Sequence, residues 1–233
     1  LDGGYFDQVL QLTDDIIARI TRAGGVNSLY DDGGDALHWI YDCRARALLA
    51  RGSWREAETE LVRAADRLEH GRPNVSNVIN LAMFYADRGQ GKEALAVLDR
   101  LRATQAPVAP YGKALIEFTK LTAAVSLHDK QTVSRSLQYL REHQSENLRT
   151  LQFALVRAGA TDEAAQLIIR RLHDPLLRSS ALEDVQIYYY PPEPPLVTGF
   201  RQRWDAILSR ADVKAVIDSV GWRERVPLPP NTV

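Results

Sequence analysis

A chain of 233 residues is long enough for one elongated repeat domain or two small globular ones. Its apolar share of 45% and charged share of 25% are those of a folded protein rather than a disordered one. With 29 basic and 30 acidic residues the formal net charge is −1, which disfavours direct nucleic-acid binding, and the one cysteine rules out an internal disulfide or a multi-cysteine zinc site.

The first predicted element is an amphipathic helix over 5–22, with Phe6, Val9, Leu10, Leu12, Ile16, Ile17 and Ile20 on one broad face. Gly24-Gly25 ends it, and the acidic loop Asp31-Asp-Gly-Gly-Asp35 places Asp35 as an N-cap for the next helix. Residues 1–35 thus form an N-terminal segment distinct from the rest of the chain. A start at Leu1, without methionine or a signal-peptide pattern, is expected of a fragment of a longer protein. The longest apolar stretch, Leu151 to Ile169, is broken by Arg157, Asp162 and Glu163, so no membrane span is expected.

Beyond residue 35 a phrase recurs: Gly52-Ser-Trp-Arg-Glu56-Ala57, Gly89-Gln-Gly-Lys-Glu93-Ala94 and Gly159-Ala-Thr-Asp-Glu163-Ala164. The copies lie 37 and 70 residues apart, which leaves room for a degenerate copy between the second and third. This spacing gives four helical hairpins: 36–51 with 54–69, 75–88 with 91–103, 110–127 with 130–143, and 146–158 with 161–173. Each glycine stops a first helix, each glutamate meets the positive end of the second, and each alanine leaves only a methyl between the pair. His128-Asp129 and Val133 replace the phrase in the third hairpin, which predicts a looser closure. Pro73, Pro107 and Pro175 fall between units.

After residue 175 the register is lost. Residues 176–187 are expected to continue as a helix, and Tyr188-Tyr-Tyr-Pro-Pro-Glu-Pro-Pro195 favours an extended polyproline-II segment. Two short helices at 198–209 and 212–220 carry a stripe of Phe200, Trp204, Ile207, Leu208, Val213, Val216 and Ile217. The segment 176–233 therefore reads as a cap over the last unit's apolar edge.

The pattern over 36–175 resembles the tetratricopeptide repeat. Hallmark positions hold Tyr41, Ala45, Leu48, Ala57, Leu61 and Ala64 in unit one, and Val78, Ala82, Tyr85, Ala94, Leu98 and Leu101 in unit two. Unit four keeps Leu148, Leu155, Ala164 and Ile168, with Gln152 where a small residue is usual. The resemblance implies an all-α, right-handed α-solenoid of about four hairpins, flanked by the N-terminal helix and the C-terminal cap. It also implies that the first helix of each unit lines a concave groove. In that register the groove residues are Trp39, Asp42, Arg46 and Leu49 in unit one, Asn80, Met83 and Asp87 in unit two, Phe118 in unit three, and Arg149, Phe153 and Arg157 in unit four. About half of them are expected to pack between repeats instead. Carboxylate-clamp repeats grip a peptide terminus with lysine, arginine and asparagine. Asn80 fits that pattern, but Asp42 stands where the first lysine belongs, and Leu115 and Thr119 replace the later basic pair. Capture of a chaperone tail is therefore not expected.

Chemistry is sparse. His38 and Asp42, one turn apart beside Cys43, lack the further ligands a zinc site requires. The Asp31–Asp35 loop lacks the alternating ligands and terminal glutamate of a calcium loop. No nucleophile elbow, phosphate loop or metalloprotease motif is present, Cys43 reads as inert helix packing, and Glu56/Glu60 and Asp14/Asp15 read as solvated faces. The expectation is a non-enzymatic interaction module without cofactor, binding a protein or peptide. A second resemblance sets the alternative. Tyr189-Tyr-Pro-Pro-x-x-Pro-Leu196, with Phe200, Trp204, Leu208 and Val220-Gly221, looks like the closing segment of bacterial signalling proteins that join a winged-helix or nucleotide-cyclase domain to such repeats through a membrane helix. Val197-Thr-Gly-Phe200 replaces their Asp-Pro-Arg-Phe phrase. That likeness implies a small-ligand sensor domain. The amino-acid pattern leaves cytoplasm or periplasm, and the oligomeric state, open.

Overall fold

The computed structural model describes residues 4–23, 33–145, 147–188 and 195–226. Among them the chain is all-α, with four two-residue strands as its only other regular structure. Helix α1 spans Gly4–Arg22, and the hairpins are α2 (Gly33–Ala50) with α3 (Trp54–Ala65), α4 (Val75–Asp87) with α5 (Gly91–Ala103), α6 (Pro110–Ser126) with α7 (Lys130–Glu142), and α8 (Leu148–Ala158) with α9 (Thr161–His173). The chain then continues through α10 (Arg178–Asp184), α11 (Pro195–Leu208) and α12 (Ala211–Val220). Gly24-Gly25, Asp31, Asp32, the proline-rich residues 189–194 and the tail 227–233 lie outside the described residues.

One turn closes all four hairpins. The N–H groups of Ser53, Gln90, Asp129 and Ala160 each donate to the carbonyl five residues earlier, at 2.9 Å. The residue before each donor is left-handed: Gly52 (φ 76°), Gly89 (77°), His128 (58°) and Gly159 (77°). These are the bonds of a Schellman motif. The third hairpin is therefore closed like the others, with a histidine in the glycine position at a cost of about 1–2 kcal/mol. Asp129 then caps α7, its carboxylate accepting from the Thr132 N–H at 3.0 Å. Ala57, Ala94 and Ala164 are fully buried where the helices meet, whereas Val133 is half-buried.

Several boundaries differ from the sequence reading. Helix α2 begins at Gly33, so Asp35 belongs to its first turn and is not the N-cap. Helix α3 stops at Ala65, and Leu68–Glu69 (β1) pairs antiparallel with Arg72–Pro73 (β2). His70 (φ 49°) and Gly71 (φ 75°) turn that hairpin, as two left-handed residues do in the tight turns matched to strand twist. Helix α10 is shorter than 176–187 because Ile187–Tyr188 (β3) leaves it to pair in parallel with Arg225–Val226 (β4).

Each helix packs on its chain neighbour from α1 to α9, and first helices also meet directly, α4 with α6 and α6 with α8. The largest core joins α6 to α9 with the C-terminal pair, burying Leu121, Leu155, Ile168 and Leu172 with Trp204, Ile207, Leu208, Val213 and Ile217. Helices α11 and α12 thus cover α9 as a cap, each large apolar side chain contributing about 1.5–3 kcal/mol by burial. On α1, Ile20 is buried against Leu37 and Tyr41, while Leu12 is 61% exposed and narrows the expected apolar face. Arg44 secures α1 through Asp14 at 2.6 Å and Arg51 through Asp7 at 2.6 Å. Glu60 is not a solvated residue: it is buried and accepts from Arg63 at 3.1 Å.

Candidate binding cleft

Helix α2 and the N-terminal halves of α4 and α6 face a cleft of about 670 Å3. Trp39 and Arg46 border it from α2, Ser76 and Asn80 from α4, and Tyr111 and Leu115 from α6, with the β1–β2 hairpin and residues 106–109 as walls. Helical spacing explains the set, because residues three, four and seven apart share one face. Trp39 and Tyr111 stand 47% and 49% exposed on the outer two helices.

Asp42 lies under the cleft rather than in it. Its side chain is buried, accepting from Arg46 Nε at 2.7 Å and from Asn80 Nδ2 at 3.0 Å. Two donors compensate the burial of the carboxylate and tie α2 to α4. Trp39, Arg46 and Asn80 all border this one cleft. Leu49 is half-buried and packs on the core around Leu61 and Leu81.

The remaining predicted groove residues are occupied within the chain. Phe118 is 7% exposed and belongs to the core with Leu121 and Leu137, and Met83 packs partly buried against that core. Arg149 Nε donates to Asp184 of α10 at 2.7 Å. Phe153 meets Phe200 and Trp204 of α11 edge to face, with ring centroids 5.6 and 6.2 Å apart. Arg157 lies 4.8 Å over the Phe200 ring and donates to Asp87 at 2.6 Å. Desolvation raises the Asp87 carboxyl above its ordinary value, against the opposing charge of Arg157.

Two parts of the site escaped the sequence reading. Tyr111 could have been found, since an aromatic directly after Pro110 opens a first helix. The hairpin wall carrying Glu69 and Arg72 had only His70-Gly71 as its signal. Asp184 was also missed; it is 1% exposed at the side chain and holds Arg149 and Arg171, each at 2.7 Å.

Two further titratable side chains stand on α2 beside Asp42. His38 is fully buried with Nε2 3.9 Å from Glu69 Oε1. Cys43 is exposed rather than packed inside, and desolvation together with the Asp42 charge pushes its thiol above the ordinary value, opposite to an activated thiolate. Among the described residues no three His, Cys, Asp or Glu side chains gather into a metal-binding group, and no helix is long and apolar enough to cross a membrane.

Comparison of the chain with protein-family models, with curated proteins and with solved structures returned no match.

Proposed function

We propose that the chain is a tetratricopeptide-like right-handed solenoid acting as a non-enzymatic interaction module, and that a peptide or extended partner segment binds in the cleft of α2, α4 and α6. The observation that supports this is the pair of half-exposed aromatics, Trp39 and Tyr111, flanking Arg46 and Asn80 in one concavity. Aromatic and arginine side chains in a partly desolvated depression are the types that dominate interface energies. The repeated hairpin turn and the buried alanines support the solenoid reading. Partners retained by the immobilised chain should be lost with Trp39→Ala and with Arg46→Ala at unchanged melting temperature. Retention at the wild-type level would remove the cleft as the site.

The cleft volume also lies in the range that holds small molecules, which supports the alternative of a ligand-sensing domain in a bacterial transmembrane regulator or signalling protein. A metabolite that raises the melting temperature by linkage, and fails to do so in Trp39→Ala, would favour that alternative.

A further inference from the structure

We propose that α1 carries a docking face for a second copy of this chain, the two α1 helices lying antiparallel across a two-fold axis. The face follows from how the other second helices are used. Each of α3, α5 and α7 packs on two first helices, its own and the next. Helix α1 packs on α2 as on a next helix, and among the described residues it has no first helix of its own.

Two stripes, one residue apart, serve the two contacts on α3. Trp54 and Glu58 meet Arg88 and Tyr85 of the next first helix, α4, and Val62 and Ala65 pack on the core that holds Leu81 and Phe84. Ala57, Leu61 and Ala64 lie one residue back from Glu58, Val62 and Ala65 and are buried, Ala64 with Leu37 and Tyr41 of α2. A step of one residue turns about 100° around a helix axis. On α1, Thr13 accepts from Arg44 of α2 and Ile20 packs on Leu37, which marks the stripe turned to the next helix. One residue back from that stripe stand Val9, Leu12 and Ile16. Leu12 is 61% exposed, and Val9 and Ile16 are half-buried. Those positions close a hairpin in α3 and are left open here.

The adjoining surface of α2 is open as well. Asn80 bonds α4 to the first helix before it, and it lies 37 residues after Cys43, the spacing of the first two glycine phrases. Cys43 therefore stands where a first helix before α2 would meet it, and its side chain is exposed.

A second α1 suits this berth. Paired helices in the hairpins are antiparallel, and a two-fold axis gives two copies of one helix that same arrangement. Helix α1 carries Asp7 in its first turn and Arg19 and Arg22 in its last. Antiparallel copies set the basic end of each beside the acidic end of the other, so the face complements itself. One pair of packed helices buries less than the roughly 1,200–2,000 Å2 of a stable interface, so the dimer is weak, with Kd on the order of 10–100 µM.

Light scattering on the whole chain, from about 5 to about 500 µM, tests this. The mass should rise from 26.1 kDa toward twice that value. Leu12→Glu should weaken association at least about tenfold at unchanged melting temperature, because it puts a charge into the joined face. The Cys43 thiol should react with a disulfide reagent more slowly at concentrations where the dimer forms. A chain that stays at 26.1 kDa throughout would overturn the inference. So would a dimer that Leu12→Glu leaves intact, or one in which Cys43 reacts as fast as in the monomer.

Discussion

Asn80 of α4 donates its Nδ2–H to Oδ1 of Asp42 on α2 across 3.0 Å, beneath the mouth of the candidate cleft. The bond links two first helices and fixes the Asp42 carboxylate, which in turn holds Arg46. Asp42→Ala should therefore cost about 1–3 kcal/mol in urea unfolding, because two donors lose a buried acceptor. Asn80→Ala should cost less, since Asp42 keeps Arg46. An Asp42→Ala variant as stable as wild type would show that the brace contributes nothing.

The four hairpin turns make a matched set for testing backbone strain. His128→Gly should stabilise the protein by about 1 kcal/mol, because the left-handed conformation no longer carries a side-chain penalty. Gly159→Ala should destabilise by about 1–2 kcal/mol. A Cβ at Gly159 meets nothing within 4 Å, so that cost is conformational and not steric. Equal denaturation midpoints for wild type and His128→Gly would contradict the strain argument.

Asp184 stands between Arg171, which is 1% exposed, and Arg149. Removing the acid leaves a buried guanidinium without its counter-charge. Asp184→Ala should cost about 3–5 kcal/mol, among the largest single losses in the protein. Trp204 Nε1 also donates to the Asp184 carbonyl at 3.2 Å, so near-UV circular dichroism of the variant should report loosened packing of α11.

Arg141 reaches from α7 to the recurring glutamate of the fourth hairpin, donating to both carboxylate oxygens of Glu163 at 2.9 and 2.6 Å. Those hydrogen bonds hold the Glu163 carboxyl below its ordinary value of 4.5. A carboxyl with a depressed folded-state pKa adds stability that is fully present above its unfolded-state value and fades as pH falls through the folded-state value. The stability gap between wild type and Glu163→Gln should therefore be constant near neutrality and close below about pH 4.5. A gap independent of pH down to acid unfolding would assign the effect to something other than this pair.

Much of the fold was legible because its signals are local. Gly52, Gly89 and Gly159 sit at left-handed turns that only the residue's own backbone demands, and Ala57, Ala94 and Ala164 are the small residues such closures need. The β1–β2 hairpin was not legible as such. Leu68 and Glu69 continue the helical pattern of α3, and it is the pairing with Arg72 and Pro73 that takes them out of it. At the cleft, Trp39, Arg46 and Asn80 came from helical register, while Tyr111 and the hairpin wall required the approach of α6 and β1–β2 to the same concavity.

The amino-acid sequence by itself determined where each hairpin turns and which faces of its helices are apolar, because periodicity, left-handed caps and small residues act within a few positions along the chain. Which of the outward stripes remain open was decided by tertiary structure alone. Trp39 and Phe153 occupy comparable stripes on first helices, yet Phe153 is covered by Phe200 and Trp204, residues distant in sequence, and Trp39 is left 47% exposed. Burial depends on what arrives from elsewhere in the chain, and no local pattern on α8 announces the arrival of α11.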